Sequence, residues 1–228
     1  MDSAPDATPD FVSGNPVLCF VVGHTEDTPR LAECVASVVG AGVDWLHLRE
    51  RRLEGGPLLA WCELLAKTAQ RAAASEGRHV RIIVNRRVDV ALALGADGVH
   101  LGFDALPVSE TRRLVGPTRG IGVSTHHPED AAIQRRAGAD YAHLAPIFDP
   151  FSKDATRPAL GLDSLRAACA SGLPILAQGG MNASRAAEAR RAGALGVAVT
   201  GTLLHADDPA AAVRDLRSAL DGALPERS

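Results

Sequence analysis

The sequence has little cysteine, and none of it is arranged for chemistry. Cys19, Cys34, Cys62 and Cys169 stand far apart with no C-x-x-C pair, which excludes a zinc ribbon or a dithiol redox motif and leaves free buried thiols in a reducing compartment. Neither sign of charge is in excess. The formal net charge is −3 with both signs interspersed, whereas a nucleic-acid or acidic-membrane surface needs clustered Lys and Arg. No apolar run approaches a membrane span, and the start, "MDSAPDATPDFVSGN", is acidic and proline-rich where a signal peptide would be basic and then apolar. These absences leave a cytoplasmic protein with a small-molecule partner. No Ser/Gly tract or charge block marks a linker, so one domain is expected over residues 15–220, between a disordered tail 1–14 and a C-terminal tail 221–228.

What is present is a repeat. "AGVDWLHLRE", "LGADGVHLG", "AGADYAHLA" and "AGALGVAVT" are copies of one unit, in which a Gly ends an Ala-rich helical stretch and a short apolar strand follows. The glycines, Gly42, Gly95, Gly138 and Gly193, are 53, 43 and 55 residues apart. Each interval has room for two strand–helix units. The intervening strands are "VLCFVV", "RIIV", "RGIGVS" and "LPILAQ". Continuous apolar runs alternating with helical stretches mean parallel strands buried on both faces. Eight such units predict an α/β fold, a single (β/α)8 TIM barrel; the alternative, an open flavodoxin-like or Rossmann sheet, lacks a G-x-G-x-x-G after the first strand.

In that barrel the chemistry belongs at the C-terminal ends of the strands, with phosphate commonly held by the loops after strands seven and eight. Strand seven ends "AQGGMNAS", where Gly179 and Gly180 allow backbone amides to approach an anion. Strand eight ends "AVTGTLL", where Thr200, Gly201 and Thr202 offer amides and hydroxyls. Strand two ends "HLRERR", placing Arg49, Arg51 and Arg52 on the same rim as an anion clamp. The long loop after strand six carries Ser152, Lys153, Thr156 and Arg157 and is expected to be a mobile lid.

The motifs "HLRER", "IIVNRRVDVALALGADGVHLG", "GVSTH", "APIF", "LGLDSLR", "AQGGMN" and "GVAVTGTLLHADDP" occur in the order found in the thiamine phosphate synthase/TenI family, which the chain resembles over nearly all of residues 17–215. The resemblance implies a TIM barrel in vitamin B1 synthesis. The synthases join a hydroxymethylpyrimidine diphosphate to a thiazole phosphate with magnesium; the TenI branch isomerises the thiazole phosphate. It further implies ligand contacts for Arg49, Arg51, Asn85, Ser124, Ser152, Lys153, Gly180, Thr200 and Gly201, and phosphorylated small molecules as partners, with a homo-oligomer possible. The departures are specific. The two aspartates that serve magnesium in the synthases correspond to Arg86 and Ala105, with Asp104 one position away, and the histidine that resembles the acid–base group of TenI corresponds to Pro146. On these grounds the sequence leans to the TenI-like, metal-independent branch with no required cofactor. Two alternatives remain: a true synthase with an altered magnesium site, and a non-catalytic phosphate-binding paralogue.

Counting five residues on from each repeat glycine gives His47, His100, His143 and Ala198, one on each of strands two, four, six and eight. Alternate strands of such a barrel fill one interior layer, so the three histidines are expected to meet inside it. His143 has no polar counterpart in the family. Three readings stand for it: a hydrogen-bonded core histidine, a ligand in a three-histidine metal site, or the acid–base group with His47 and His100 beside it.

Overall fold

The computed structural model describes residues 11–12, 15–23, 25, 27–149 and 157–225. Eight parallel strands close on themselves in sequence order: β1 (Val17–Val22), β2 (Trp45–Leu48), β3 (Arg81–Asn85), β4 (Gly98–Leu101), β5 (Gly120–Thr125), β6 (Tyr141–Leu144), β7 (Ile175–Gln178) and β8 (Gly196–Val199). The intervening helices are α1 (Thr28–Ala41), α2 (Gly55–Ser75), α3 (Val88–Leu94), α4 (Val108–Val115), α5 (Asp130–Arg136), α6 (Gly161–Cys169) and α7 (Ala183–Arg191). A single turn, α8 (Gly201–Leu204), and a terminal helix, α9 (Pro209–Gly222), follow β8. This is the expected (β/α)8 barrel; six strands fall within the segments assigned from the repeat and the intervening apolar runs, and β3 and β5 run one residue beyond theirs, to Asn85 and Thr125.

The helices start where side chains can cap them. Asp27, Asn182 and Asp208 accept from the amides of Arg30, Arg185 and Ala211, and Pro29 and Pro209 occupy first turns, where no amide donor is needed. All four repeat glycines have positive φ, from 68° to 134°, so the repeat is a chain-reversal signal.

The repeat has a second component that its glycines and apolar runs do not reveal. Three copies carry an aspartate after the glycine, and each takes a backbone N–H from the neighbouring odd strand. Leu18 donates to Asp44, Ile82 to Asp97 and Ile121 to Asp140, at 2.6–2.8 Å. Arg217 and Arg112 pair with Asp44 and Asp140 at 2.6 Å. The N-terminal rim of the barrel is therefore fastened by carboxylates, while the fourth copy has Leu195 instead.

Inside the barrel, Phe11, Trp45 and Tyr141 fill the lower lumen, with ring centroids 4.8–5.9 Å apart. Their bulk explains the glycines facing them: a Cβ on Gly120 would lie 2.4 Å from Phe11, and one on Gly122 would lie 2.1 Å from Tyr141. Phe11 corrects the expected boundary of the N-terminal tail. It is buried against Gly98, Gly120 and Trp45, and with Val12 packed beside it belongs to the core. The C-terminal boundary also moves, because the apolar spacing Val213, Leu216, Leu220 continues to buried Ala223. Residues 1–10, 13–14 and 226–228 lie outside the described residues.

Candidate active site

The C-terminal ends of the strands surround a well of about 620 Å³. Its wall includes Arg49, Arg51, Asn85, Arg86, Ser124, Arg157 and Gly179, and its floor His47, His100 and His143. An adjoining cavity of about 420 Å³ is lined by Gly180, Met181, Thr200, Gly201, Thr202 and His205, and shares Gln178 and Gly179 with the well. The site residues expected from sequence therefore gather in two connected compartments. Ser152 and Lys153, with Thr156, lie outside the described residues. A further groove of about 710 Å³, between α1 and α8, holds none of the site residues expected from sequence and shares His205 with the adjoining cavity.

Strand alternation makes the histidine layer. His47, His100 and His143 all point into the lumen, with ring centroids 4.3, 4.7 and 5.5 Å apart. Their hydrogen bonds differ. His100 is engaged at both nitrogens, Nε2 with Ser124 at 2.9 Å and Nδ1 with Tyr141 at 3.4 Å. His47 Nε2 meets Asn85 Oδ1 at 3.3 Å, but its Nδ1 has no partner among the described residues, and neither has Nε2 of His143. Burial holds all three neutral near pH 7: it pushes His143 down to about 4, and it lowers His47 and His100, each depressed further by the neighbouring His143.

The wall is cationic. Burial and then the charge of Arg51 lower the pKa of Arg49. Arg86 adopts φ 62°, a left-handed conformation uncommon outside Gly, Asn and Asp. Its guanidinium pairs with Asp104 at 3.0 Å across the mouth of the well. Phe103, 65% exposed, stacks on His126 at 4.5 Å beside it. Neither aromatic was expected from sequence, nor was Gln178. Gln178 was legible as the last residue of strand seven before the glycine pair; Phe103 and His126 sit in loops, where no periodicity marks them.

Both loop glycines of β7 need their missing side chains. Gly179 has φ 99° and Gly180 φ 59°; a Cβ on the first would lie 2.8 Å from Pro146 and on the second 2.3 Å from the carbonyl of Asp149. Thr202 ties the loop after β8 to that after β7 by donating to the carbonyl of Met181 at 2.5 Å. The helical turn after β8 is only four residues long, while α7 is capped by Asn182.

Residues 18–203 match the family described as thiamine monophosphate synthase. The chain belongs to the thiamine phosphate synthase/TenI family. Among relatives of this family, it is 37% identical to the thiamine-phosphate synthase of Roseiflexus sp. (strain RS-1), over 96% of this chain and 91% of that one. It is 41% identical to the thiamine-phosphate synthase of Chloroflexus aurantiacus, over 80% and 82%. The solved thiamine phosphate pyrophosphorylase of Pyrococcus furiosus superimposes with a TM-score of 0.74 at 26% identity, over 92% of this chain and 98% of that one. A 3-hexulose-6-phosphate synthase, at 20% identity and a TM-score of 0.63, shares the barrel alone. This thiamine phosphate synthase/TenI barrel carries Arg86 and Asp104 at the mouth of its well.

Proposed function

We propose that this enzyme joins a pyrimidine diphosphate to a thiazole phosphate, forming thiamine phosphate and releasing diphosphate. The observation that carries the reading is the two-compartment site: a well ringed by arginines, joined through Gln178 and Gly179 to a glycine- and threonine-lined cavity. An isomerase of one phosphorylated thiazole needs a single anion site, whereas condensation of two phosphorylated substrates needs two. The TenI-like leaning of the sequence also finds no support among the relatives, which are named as synthases or pyrophosphorylase.

In this reading the bond to the leaving diphosphate breaks with its electron pair on oxygen while the thiazole forms the new bond. Negative charge therefore grows on the diphosphate, where Arg49, Arg51, Arg86 and Arg157 line the well. Bidentate guanidinium contacts suit that load. Phe103 over His126 offers a flat apolar face at the mouth for a planar ring. The paired positive-φ glycines and the Thr200–Gly201 segment hold the other phosphate through amides and hydroxyls.

Magnesium does not fit the positions that the resemblance assigns to it. A hard dication needs several oxygen ligands; here one aspirant ligand is a guanidinium, another a methyl group, and the remaining carboxylate, Asp104, is already paired with Arg86. No step is routed through it. The substitution moves no proton, so the acid–base role considered for His143 is not required.

The test is direct. Purified protein given both substrates, with and without magnesium, should release diphosphate and form thiamine phosphate, and Arg49→Ala should slow turnover by roughly 10–100-fold, the loss of one or two charge-assisted bonds. Conversion of thiazole phosphate alone to an isomer, with no condensation, would reverse the assignment.

A further inference from the structure

Two buried nitrogens remain unexplained by the proposed chemistry: Nδ1 of His47 and Nε2 of His143, in side chains of residues 2% and 3% exposed. A buried acceptor or donor without a partner is costly, and in native structures such a group calls for an explanation, a bound ion being one. Directly among them lies Cys19 of β1, 1% exposed, one strand from His47 in the barrel. The ligand atoms of Cys19, His47 and His143 all lie within 4.8 Å of one another.

We propose that Cys19, His47 and His143 form a binding site for a thiophilic divalent transition-metal ion, with zinc as the type case. The site stands whichever reaction the well performs. One thiolate and two imidazoles are a ligand set that zinc favours, and such three-ligand sets leave a position for water or a substrate oxygen. Metal–sulfur and metal–nitrogen bonds of about 2.3 and 2.0–2.1 Å place ligand atoms of a tetrahedral site about 3.3–3.6 Å apart. Each pair here needs to close by no more than about 1.5 Å, a movement within side-chain rotation.

The surroundings suit a metal as well. Asn85 Oδ1 meets the far nitrogen of His47, the outer-shell contact that fixes a metal-binding tautomer. Burial keeps both histidines neutral, the ligating form. It also pushes the Cys19 thiol far up, so metal entry must release its proton, and affinity rises with pH. His100, expected from sequence to share such a site, does not belong to it, because Ser124 and Tyr141 occupy its nitrogens. His47 and His143 line the well, which gives the ion its approach from the active-site side.

The experiment is titration of chelator-treated full-length protein with Co²⁺, followed by its absorption spectrum. One equivalent should give a thiolate-to-cobalt charge-transfer band together with visible bands of low-coordinate cobalt. Cys19→Ser should remove the charge-transfer band, and His143→Gln should weaken binding by at least about tenfold, the least expected from losing a ligand when outer-shell losses already reach that size. Cys34→Ser, on the outer helix α1, should change neither. Zinc-loaded wild type needs no variant: an X-ray absorption shell of one sulfur and two nitrogens sustains the site, and a shell of nitrogen and oxygen alone overturns it. Absence of a charge-transfer band with Co²⁺ in excess, or its survival in a folded Cys19→Ser protein, overturns it equally.

Discussion

Gly180→Ala is the substitution that most sharply separates backbone geometry from side-chain chemistry in this site. Gly180 has φ 59°, and an added Cβ would lie 2.3 Å from the carbonyl oxygen of Asp149 and 2.9 Å from Nη1 of Arg185. The guanidinium can swing aside, but the carbonyl belongs to the chain after β6. A left-handed conformation costs an alanine about 1–2 kcal/mol, and overpacking against backbone a further ~1–3 kcal/mol. The sum, about 2–5 kcal/mol, corresponds to a fall in Tm of roughly 4–20 °C for a protein of this size. If the loop relieves the clash by moving, the amides that approach phosphate move with it. Loss of one charge-assisted hydrogen bond, ~1.5–3 kcal/mol, lowers affinity for phosphate about ten- to 150-fold. Gly40→Ala, in α1 and outside the cradle, is the control. Its Cβ would meet nothing within 4 Å and its φ is not positive, so affinity should stay within about twofold, a few tenths of a kcal/mol. Calorimetry with inorganic phosphate and with thiazole phosphate reads both variants. Wild-type affinity in Gly180→Ala, or equal damage in Gly40→Ala, refutes the cradle.

Three further outcomes are expected. Magnesium should change diphosphate affinity of the wild type by less than about threefold, under 1 kcal/mol, whereas Arg86→Asp should make that affinity magnesium-dependent; calorimetry with and without the ion decides it. That variant suits the backbone, since aspartate tolerates the φ of 62° better than arginine does. In chelator-treated protein, His143 titrates near 4 when folded and near 6.5 when unfolded, so the unfolded state binds the extra proton. Its contribution is then complete above pH 6.5 and is lost as pH falls from about 6.5 to about 4, roughly 3 kcal/mol in all; His143→Gln should flatten that part of the urea-unfolding pH profile. Gly122→Ala drives a Cβ to 2.1 Å from the Tyr141 ring. It should lower stability by ~1–3 kcal/mol in denaturant unfolding and break the hydrogen bond between Tyr141 and His100.

The barrel was legible because its signal is redundant. Four glycine-terminated copies and four apolar runs point to the same eight strands, and the offset of five residues from each glycine was enough to place three histidines in one layer. The cationic rim and the glycine loops were legible for the same reason, as strand ends in a barrel carry the site. What escaped lies across the lumen rather than along the chain. Cys19 reads as an ordinary strand residue until the barrel brings it within reach of His143 on β6, and Phe11 reads as tail until the glycines of β4 and β5 leave space for its ring. Phe103 and His126 come from two loops whose proximity no local pattern encodes. The aspartates of the repeat were visible in three copies, but a carboxylate beside a turn looks solvated until the amide it accepts from is known.

Those aspartates carry a consequence for how the barrel breathes. Odd strands β1, β3 and β5 each have an amide fastened to a carboxylate of the next repeat copy, while β7 meets Leu195 at the same place. The fastening is thus threefold on a frame with four positions, and the gap falls beneath the strand that presents Gln178, Gly179 and Gly180 to the ligand. Opening fluctuations should begin there, at the seam between β7 and β8. Native-state hydrogen exchange would register them as faster exchange of β7 amides than of β3 or β5 amides. Rigidity is thereby concentrated on the half of the barrel that supports the arginine rim, and compliance on the half that carries the glycine loops after β7 and β8.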